Sequence, residues 1–354
     1  MIIAPPGLAD VVVTSTVLSD VDGENGRLVI RGLPVEAVAG RIPFEEMAAR
    51  LWEGFAEIDD PRRALGDGRA YAFGRLAKIF PHLANLPIID GLRGCLASLG
   101  DDESILPHLL VTAAMPVVAA ALARLQQGLD PVAPDPTATH AHDFLRMLAG
   151  EPPPEARAWA LDAYLTSVSD HGMNASTFTA RVVASTRAGM VASVVAALCA
   201  LKGPLHGGAP GPVLDMLDFI GTEERAAAWI AERLAAGQRL MGFGHRIYRV
   251  RDPRADVLRH VVERLREEDA SPRLALAEKV EQTALEALRR HKPDRPLQTN
   301  VEFYTALVLE AVGLDRTLFT PAFAAGRVLG WTAHVFEQER EGKLMRPQSK
   351  YVGP

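Results

Sequence analysis

An all-α protein fronted by a short β-hairpin is the fold class that the sequence predicts, and three observations predict it. From Pro43 onward apolar residues recur at three- and four-residue spacing, as in Phe44, Met47, Ala48 and Leu51, which lines one face of a helix. Proline or glycine interrupts that pattern every dozen or two residues, so the chain reads as a succession of helices rather than one long rod. Only residues 7–31 alternate Val, Thr and Ser with charges; an Asp/Gly/Asn turn there joins two short strands, with Val11–Thr16 and Asp20–Ile30 carrying the alternation.

The elements follow in order. Helices fill most of 65–130, and Pro131–Pro136 and Glu151–Pro154 are loops, the second placing prolines ahead of a helix at 155–169. A helix over 177–201, with the small-residue run Val182–Ala200 at its centre, is built for close helix packing and must end at Gly203-Pro204. Residues 212–236 and 253–291 read as helices with charged outer faces, and 300–341 return to an apolar helical pattern before an irregular tail. A chain of 354 residues is expected to split into two domains.

Composition excludes several function classes. The formal net charge is −6 and Lys and Arg are scattered, so neither a nucleic-acid footprint nor a membrane-surface patch is expected. The most hydrophobic run, Val182–Leu201, carries Arg187 and hydroxyl residues, which argues against a membrane span. Residues 1–6 have no basic and apolar leader pattern, so no secretory signal is read and the cytoplasm is the expected location. Cys95 and Cys199 sit in apolar surroundings without metal or redox spacing and are expected to be buried free thiols.

Chemistry concentrates in three histidine stretches that also carry glycine: Asp170-His171-Gly172, Gly203-Pro204-Leu205-His206-Gly207-Gly208-Ala209 and Gly242-Phe243-Gly244-His245. Glycine beside histidine lets a ligand come within hydrogen-bonding distance of backbone. His140 and His142 form an HxH by spacing, but a helix cap or surface role is expected of them, and no metal site is predicted. Nor does the chain hold a phosphate loop or a GxSxG elbow. Arg246, Arg249, Arg251 and Arg254 cluster after His245, and Arg327 stands in an otherwise apolar helix. An arginine so placed must meet an anion, either a protein carboxylate or a ligand. Glu302 in Asn300-Val301-Glu302-Phe303-Tyr304 is an acid among apolar residues, where burial would raise its pKa and suit it to proton abstraction.

Taken with Asp20-Val21-Asp22-Gly23, Phe319-Thr320-Pro321 and Arg346-Pro347, these stretches make the chain resemble the citrate synthases over nearly its whole length, with residues 57–110 the weakest match. The resemblance implies a two-domain helical fold, with 1–207 and 311–354 forming a large dimerisation domain and 208–310 a small domain that closes over the site. It implies condensation of acetyl-CoA with oxaloacetate and hydrolysis of the thioester, with the CoA thioester a substrate and no resident cofactor or metal. In this reading His206 stabilises the enol, Glu302 removes the α-proton and His245 polarises the keto oxygen. His171, Arg254, Arg327 and Arg346 hold oxaloacetate, Arg346 from the other subunit of a homodimer. Arg249, Arg246 and Lys343 are candidates for the CoA phosphates. One departure stands out: the family carries aspartate where this chain has Glu302, and Leu297-Gln298-Thr299 replaces its usual Tyr-Pro pair. The alternatives are a 2-methylcitrate synthase using propionyl-CoA and a catalytically silent protein that binds CoA or a dicarboxylate.

Overall fold

The computed structural model describes residues 5–8, 11–207, 210–244, 248, 250–268, 271–293 and 297–354. Its sheet is small and local: β1 (Ser19–Asp22) pairs antiparallel with β2 (Arg27–Ile30), Ser19 opposite Ile30, and β3 (Leu33–Pro34) adds to the far edge. The turn forms because the Asp22 carboxylate accepts the backbone N–H groups of Glu24 and Asn25, which is the local bonding that makes Asp a turn residue. The expected strand over Val11–Thr16 does not form. That segment runs over helix side chains instead, where the Val17 N–H donates to the Glu337 carboxylate at 2.9 Å.

Sixteen α-helices account for most of the rest of the described residues. The first seven are α1 (Val35–Val38), α2 (Phe44–Trp52), α3 (Pro61–Leu76), α4 (Phe80–Leu83), α5 (Ile88–Ala97), α6 (Pro107–Gln126) and α7 (His140–Ala149). α6 is the centre of the core: it is buried without interruption from His108 to Ala123 and is flanked by α3, α5, α7 and the C-terminal helix. Among the described residues it is the helix long and apolar enough to cross a membrane, but 89% of that window is buried inside the protein. Helices that are apolar all round belong in cores, and the core centre is thus α6 rather than the small-residue run Val182–Leu201.

α8 (Glu155–Ser167) confirms the expected start after Pro154. The single helix expected over 177–201 is two, α9 (Ala175–Ala184) and α10 (Met190–Leu201), packed on each other. The break has two causes, one local and one distant: Arg187 and Gly189 take positive φ, and the Asp101 carboxylate reaches in to accept the Val191 N–H at 2.9 Å, starting a new helix. Cys199 on α10 is exposed, not buried as its apolar neighbours suggested, and Cys95 is buried; both are free.

α11 (Pro210–Ile220), α12 (Glu223–Ala235) and α14 (Pro272–His291) pack on one another, α11 and α13 (Pro253–Glu268) pack on α15 (Val301–Ala311), and α13 also lies against α8. α16 (Phe319–Glu341) then returns through the core against α6, α9, α10 and α8. His140, expected at a cap or the surface, is instead fully buried at the start of α7 and stacked on Phe44 at 4.5 Å, because the ion pair of Arg69 with Asp143 draws that turn inward.

Candidate active site

His206 is presented by the turn that ends α10. Its own N–H and that of Gly207 both bond back to the Gly203 carbonyl, so the imidazole leaves the helix end at a defined angle. Its Nε2 lies 2.8 Å from the Ser176 hydroxyl, which also accepts the indole N–H of Trp331 at 3.1 Å and donates to Asn174 Oδ1 at 2.8 Å. Asn174 caps α9 by accepting the Thr177 N–H. Burial, and then the positive charge of Arg327, push the His206 pKa down to about 4, so the ring is neutral near pH 7.

α16 carries Phe323, Arg327 and Trp331 at intervals of four, which stacks them along one face. His206 meets Phe323 edge-on at 6.2 Å, and Arg327 lies over the same ring at 4.9 Å. Arg327 is 1% exposed, and its Nε donates to the Val168 carbonyl at 2.5 Å. No carboxylate lies within ion-pairing distance of it among the described residues. Burial lowers its pKa to about 10 against the opposing pull of Asp170. Asp170 is itself fully buried; burial would raise its carboxyl, but His334, Ser19 and Arg327 more than offset that and hold it below the usual range.

Asp170 opens the loop that holds His171, whose Nε2 is 3.0 Å from the Tyr248 hydroxyl. Arg254, at the start of α13, is paired through two nitrogens with Asp252, at 3.1 and 2.8 Å. That pair keeps the guanidinium charged although burial opposes it. Asp252 also accepts the Arg254 N–H, so one carboxylate starts the helix and orients its arginine.

Glu302 is half-buried in the first turn of α15. Asn300 caps that helix through the Glu302 N–H at 3.0 Å and reaches the Gly244 carbonyl with its own amide at 2.8 Å. The Gln298 carbonyl accepts the Gly244 N–H at 2.7 Å, so 298–300 pairs with 242–244 as a short ladder that ends one residue before His245. Gly242 must be glycine there, since its φ is +83° and a Cβ would sit 2.9 Å from Phe303. Burial raises the Glu302 pKa against the pull of Arg254 and the Asn300 hydrogen bond.

The structure thus couples His206, Arg327, Arg254 and Glu302 electrostatically, and His171 joins them through its hydrogen bond to Tyr248 beside Arg254. His245, Arg246 and Arg249 lie outside the described residues. Lys343 and Arg346 are exposed in the irregular segment after α16, which is tied to the end of α9 through the Met345 N–H and Ser185 at 3.0 Å. Sequence reasoning missed Ser176, Tyr248 and Asp252, which orient His206, His171 and Arg254. Asp252-Pro253 was legible only as a helix start, and Ser176 only as the neighbour of a cap. No group of three His, Cys, Asp or Glu suited to a metal occurs among the described residues. Chemically, the cluster offers a neutral imidazole, a carboxyl of raised pKa and two guanidiniums with a second imidazole, a set suited to a dianionic substrate and to proton removal beside it.

A family profile described as "Citrate synthase, C-terminal domain" matches residues 7–348. The chain is 39% identical to "Putative citrate synthase 2" of Mycobacterium bovis, over 99% of this chain and 93% of the relative. It is 34% identical to "2-methylcitrate synthase" of Mycobacterium tuberculosis, over 98% and 90%. Among solved structures, citrate synthase from Thermotoga maritima superimposes with a TM-score of 0.84 at 36% identity, over 99% of this chain and 96% of that one. The ternary complex of carboxymethyl coenzyme A and oxaloacetate with the Thermoplasma acidophilum citrate synthase gives a TM-score of 0.86 at 26% identity, over 98% and 96%.

Proposed function

The chain belongs to the citrate synthase family, and from that premise we propose that it condenses acetyl-CoA with oxaloacetate and hydrolyses the citryl thioester to citrate and CoA. The observation that carries this reading is the buried Arg327 beside a neutral His206, with the raised carboxyl of Glu302 coupled to them through Arg254. The solved relative that holds both a CoA analogue and oxaloacetate supports the same pair of ligands.

Glu302 takes the α-proton of the thioester. His206 donates a hydrogen bond to the thioester oxygen as negative charge develops there, and the enol carbon attacks the keto carbon of oxaloacetate. His245 delivers the proton to the resulting alkoxide, and water then cleaves the thioester, releasing the CoA thiol. For His206 to donate from Nδ1, the Ser176 hydroxyl must turn from Asn174 Oδ1, to which it donates in this structure, and donate to Nε2 across the 2.8 Å contact instead. Arg327, Arg254 and His171 take the two carboxylates and keto group of oxaloacetate, the Arg254–Asp252 pair opening or sharing to do so. Arg346 completes the site from the second subunit of a homodimer, and Arg249, Arg246 and Lys343 meet the CoA phosphates. Residues 208–310 form the small domain, whose closure on 1–207 and 311–354 excludes water before the enol forms. CoA is a substrate and no resident cofactor is required.

Glu302 in place of the usual aspartate is accommodated by the ladder between 298–300 and 242–244, which sets where α15 begins. Thiol release with oxaloacetate and each acyl-CoA tests the reading. Wild type is expected to turn over acetyl-CoA, and Glu302→Gln to lose turnover while still binding oxaloacetate. Glu302→Asp is expected to slow turnover by about ten- to a hundredfold, because a shift of about 1 Å can cost that much. No thiol release from wild type with any acyl-CoA would leave a CoA- or dicarboxylate-binding protein without catalysis. The relative named 2-methylcitrate synthase favours a second reading, in which propionyl-CoA has the higher kcat/KM; one methylene is weakly discriminated.

A further inference from the structure

The hairpin formed by β1 and β2 touches both loops that carry the substrate cluster. At its root, the Ser19 hydroxyl donates to Asp170 Oδ2 at 2.5 Å and accepts the Gly172 N–H at 2.9 Å, so one side chain clamps the residues on either side of His171. Val21 packs against the same loop, 3.1 Å from where a Cβ on Gly172 would lie. At its tip, Gly26 lies against Val250 and the Arg251 carbonyl, where an added Cβ would sit 2.7 and 2.8 Å away, and its φ is +63°. These two contacts flank the His171–Tyr248 hydrogen bond.

Asp170 is suited to this clamp. Its Oδ2 takes both Ser19 and His334, at 2.5 and 3.3 Å, while Oδ1 has no hydrogen-bond partner and faces Gly330. The carboxylate therefore offsets the charge of Arg327 from a distance without occupying its N–H groups.

We propose that Ser19 is a positioning residue and the hairpin a brace: it sets the spacing between the 170–172 loop and Tyr248 with residues 250–254, and with it the affinity for oxaloacetate. The proposal rests on the family reaction above, so its test separates the two. Oxaloacetate binding is measured by calorimetry, with KM for both substrates and Tm, on wild type, Ser19→Ala, Ser19→Thr and Gly26→Ala.

Ser19→Ala is expected to weaken oxaloacetate binding about tenfold, the loss of roughly one buried hydrogen-bonded clamp, with the acetyl-CoA KM and Tm held near wild type. Ser19→Thr, which keeps the hydroxyl, is expected to restore binding to within about threefold. Gly26→Ala, which pushes on Val250 and Arg251 from the far end, is expected to weaken oxaloacetate binding as well, and it decides the matter if Ser19→Ala does not fold. Unchanged oxaloacetate affinity in Ser19→Ala, failure of threonine to rescue, or normal binding in Gly26→Ala each overturns the brace. Absence of oxaloacetate binding by wild type overturns the family reaction instead.

Discussion

Buried imidazoles are the residues that make this protein sensitive to acid. Burial lowers the His108 and His206 pKa values to about 4 and pushes that of fully buried His140 down as well. The sign follows from proton counting: an unfolded histidine titrates near 6.5, so between that pH and the lowered native value the unfolded chain binds more protons. Their stabilising share is therefore complete above about pH 6.5 and is lost as pH falls toward 4. Glu302, whose pKa burial raises, acts in the opposite sense. Tm is expected to drop steadily from pH 7 to pH 5. His108, set edge-on to Trp52 and Phe336 with Nε2 unbonded, is a clean probe: His108→Phe is expected to lose less Tm over that interval than wild type, and a flat wild-type profile would dismiss the argument. At this scale the sequence made His206, Arg327 and Glu302 visible, because a charged or titratable group among apolar or glycine neighbours stands out. It did not show Ser176 or Asp252, whose types are ordinary for helix starts.

Helices α3 and α7 are joined by a buried ion pair that no local pattern announced. Arg69 Nε meets Asp143 Oδ2 at 2.7 Å with both side chains fully buried, and its Nη2 donates to the Asp135 and Ala138 carbonyls at 3.1 and 2.8 Å. Asp143 further accepts Arg146 and the Asp135 N–H, so the carboxylate organises the whole 135–146 turn. Arg69→Met leaves the buried Asp143 with Arg146 as its remaining cation and is expected to cost about 3 kcal/mol, read as a lowered urea midpoint, while Arg69→Met with Asp143→Leu recovers much of it. A single variant as stable as wild type would show that the pair contributes little. Element boundaries were legible where proline or glycine marks them, at Pro154 and Gly203. The break between α9 and α10 was not, because the Asp101 side chain that causes it comes from 90 residues away.

At the scale of the molecule, apolar side chains remain exposed at both ends of the chain: Val12 at 87%, Tyr351 at 79% and Val352 at 86%. Arg346 is exposed on the same C-terminal segment as Tyr351 and Val352. The expected assembly is a homodimer in which Arg346 serves the neighbouring site. Complementation tests it: Arg346→Ala and His206→Ala are each expected to be nearly inactive, and dimers re-formed from an equal mixture to regain about a quarter of wild-type turnover, since one site in each mixed dimer is intact. No recovery, in a mixture shown to exchange subunits, would place Arg346 in its own subunit's site.

By itself the sequence determined the helical class, the N-terminal hairpin and the identity of the cluster residues, because periodicity, turn chemistry and charge in apolar surroundings are local properties that the chain states directly. Tertiary structure decided what those residues face. Arg327 meets no carboxylate among the described residues, His171 meets Tyr248 from 77 residues away, and Ser19 lies across the His171 loop from 151 residues away. Burial and hydrogen bonding between distant segments set these outcomes, and both exist only once the helices have packed.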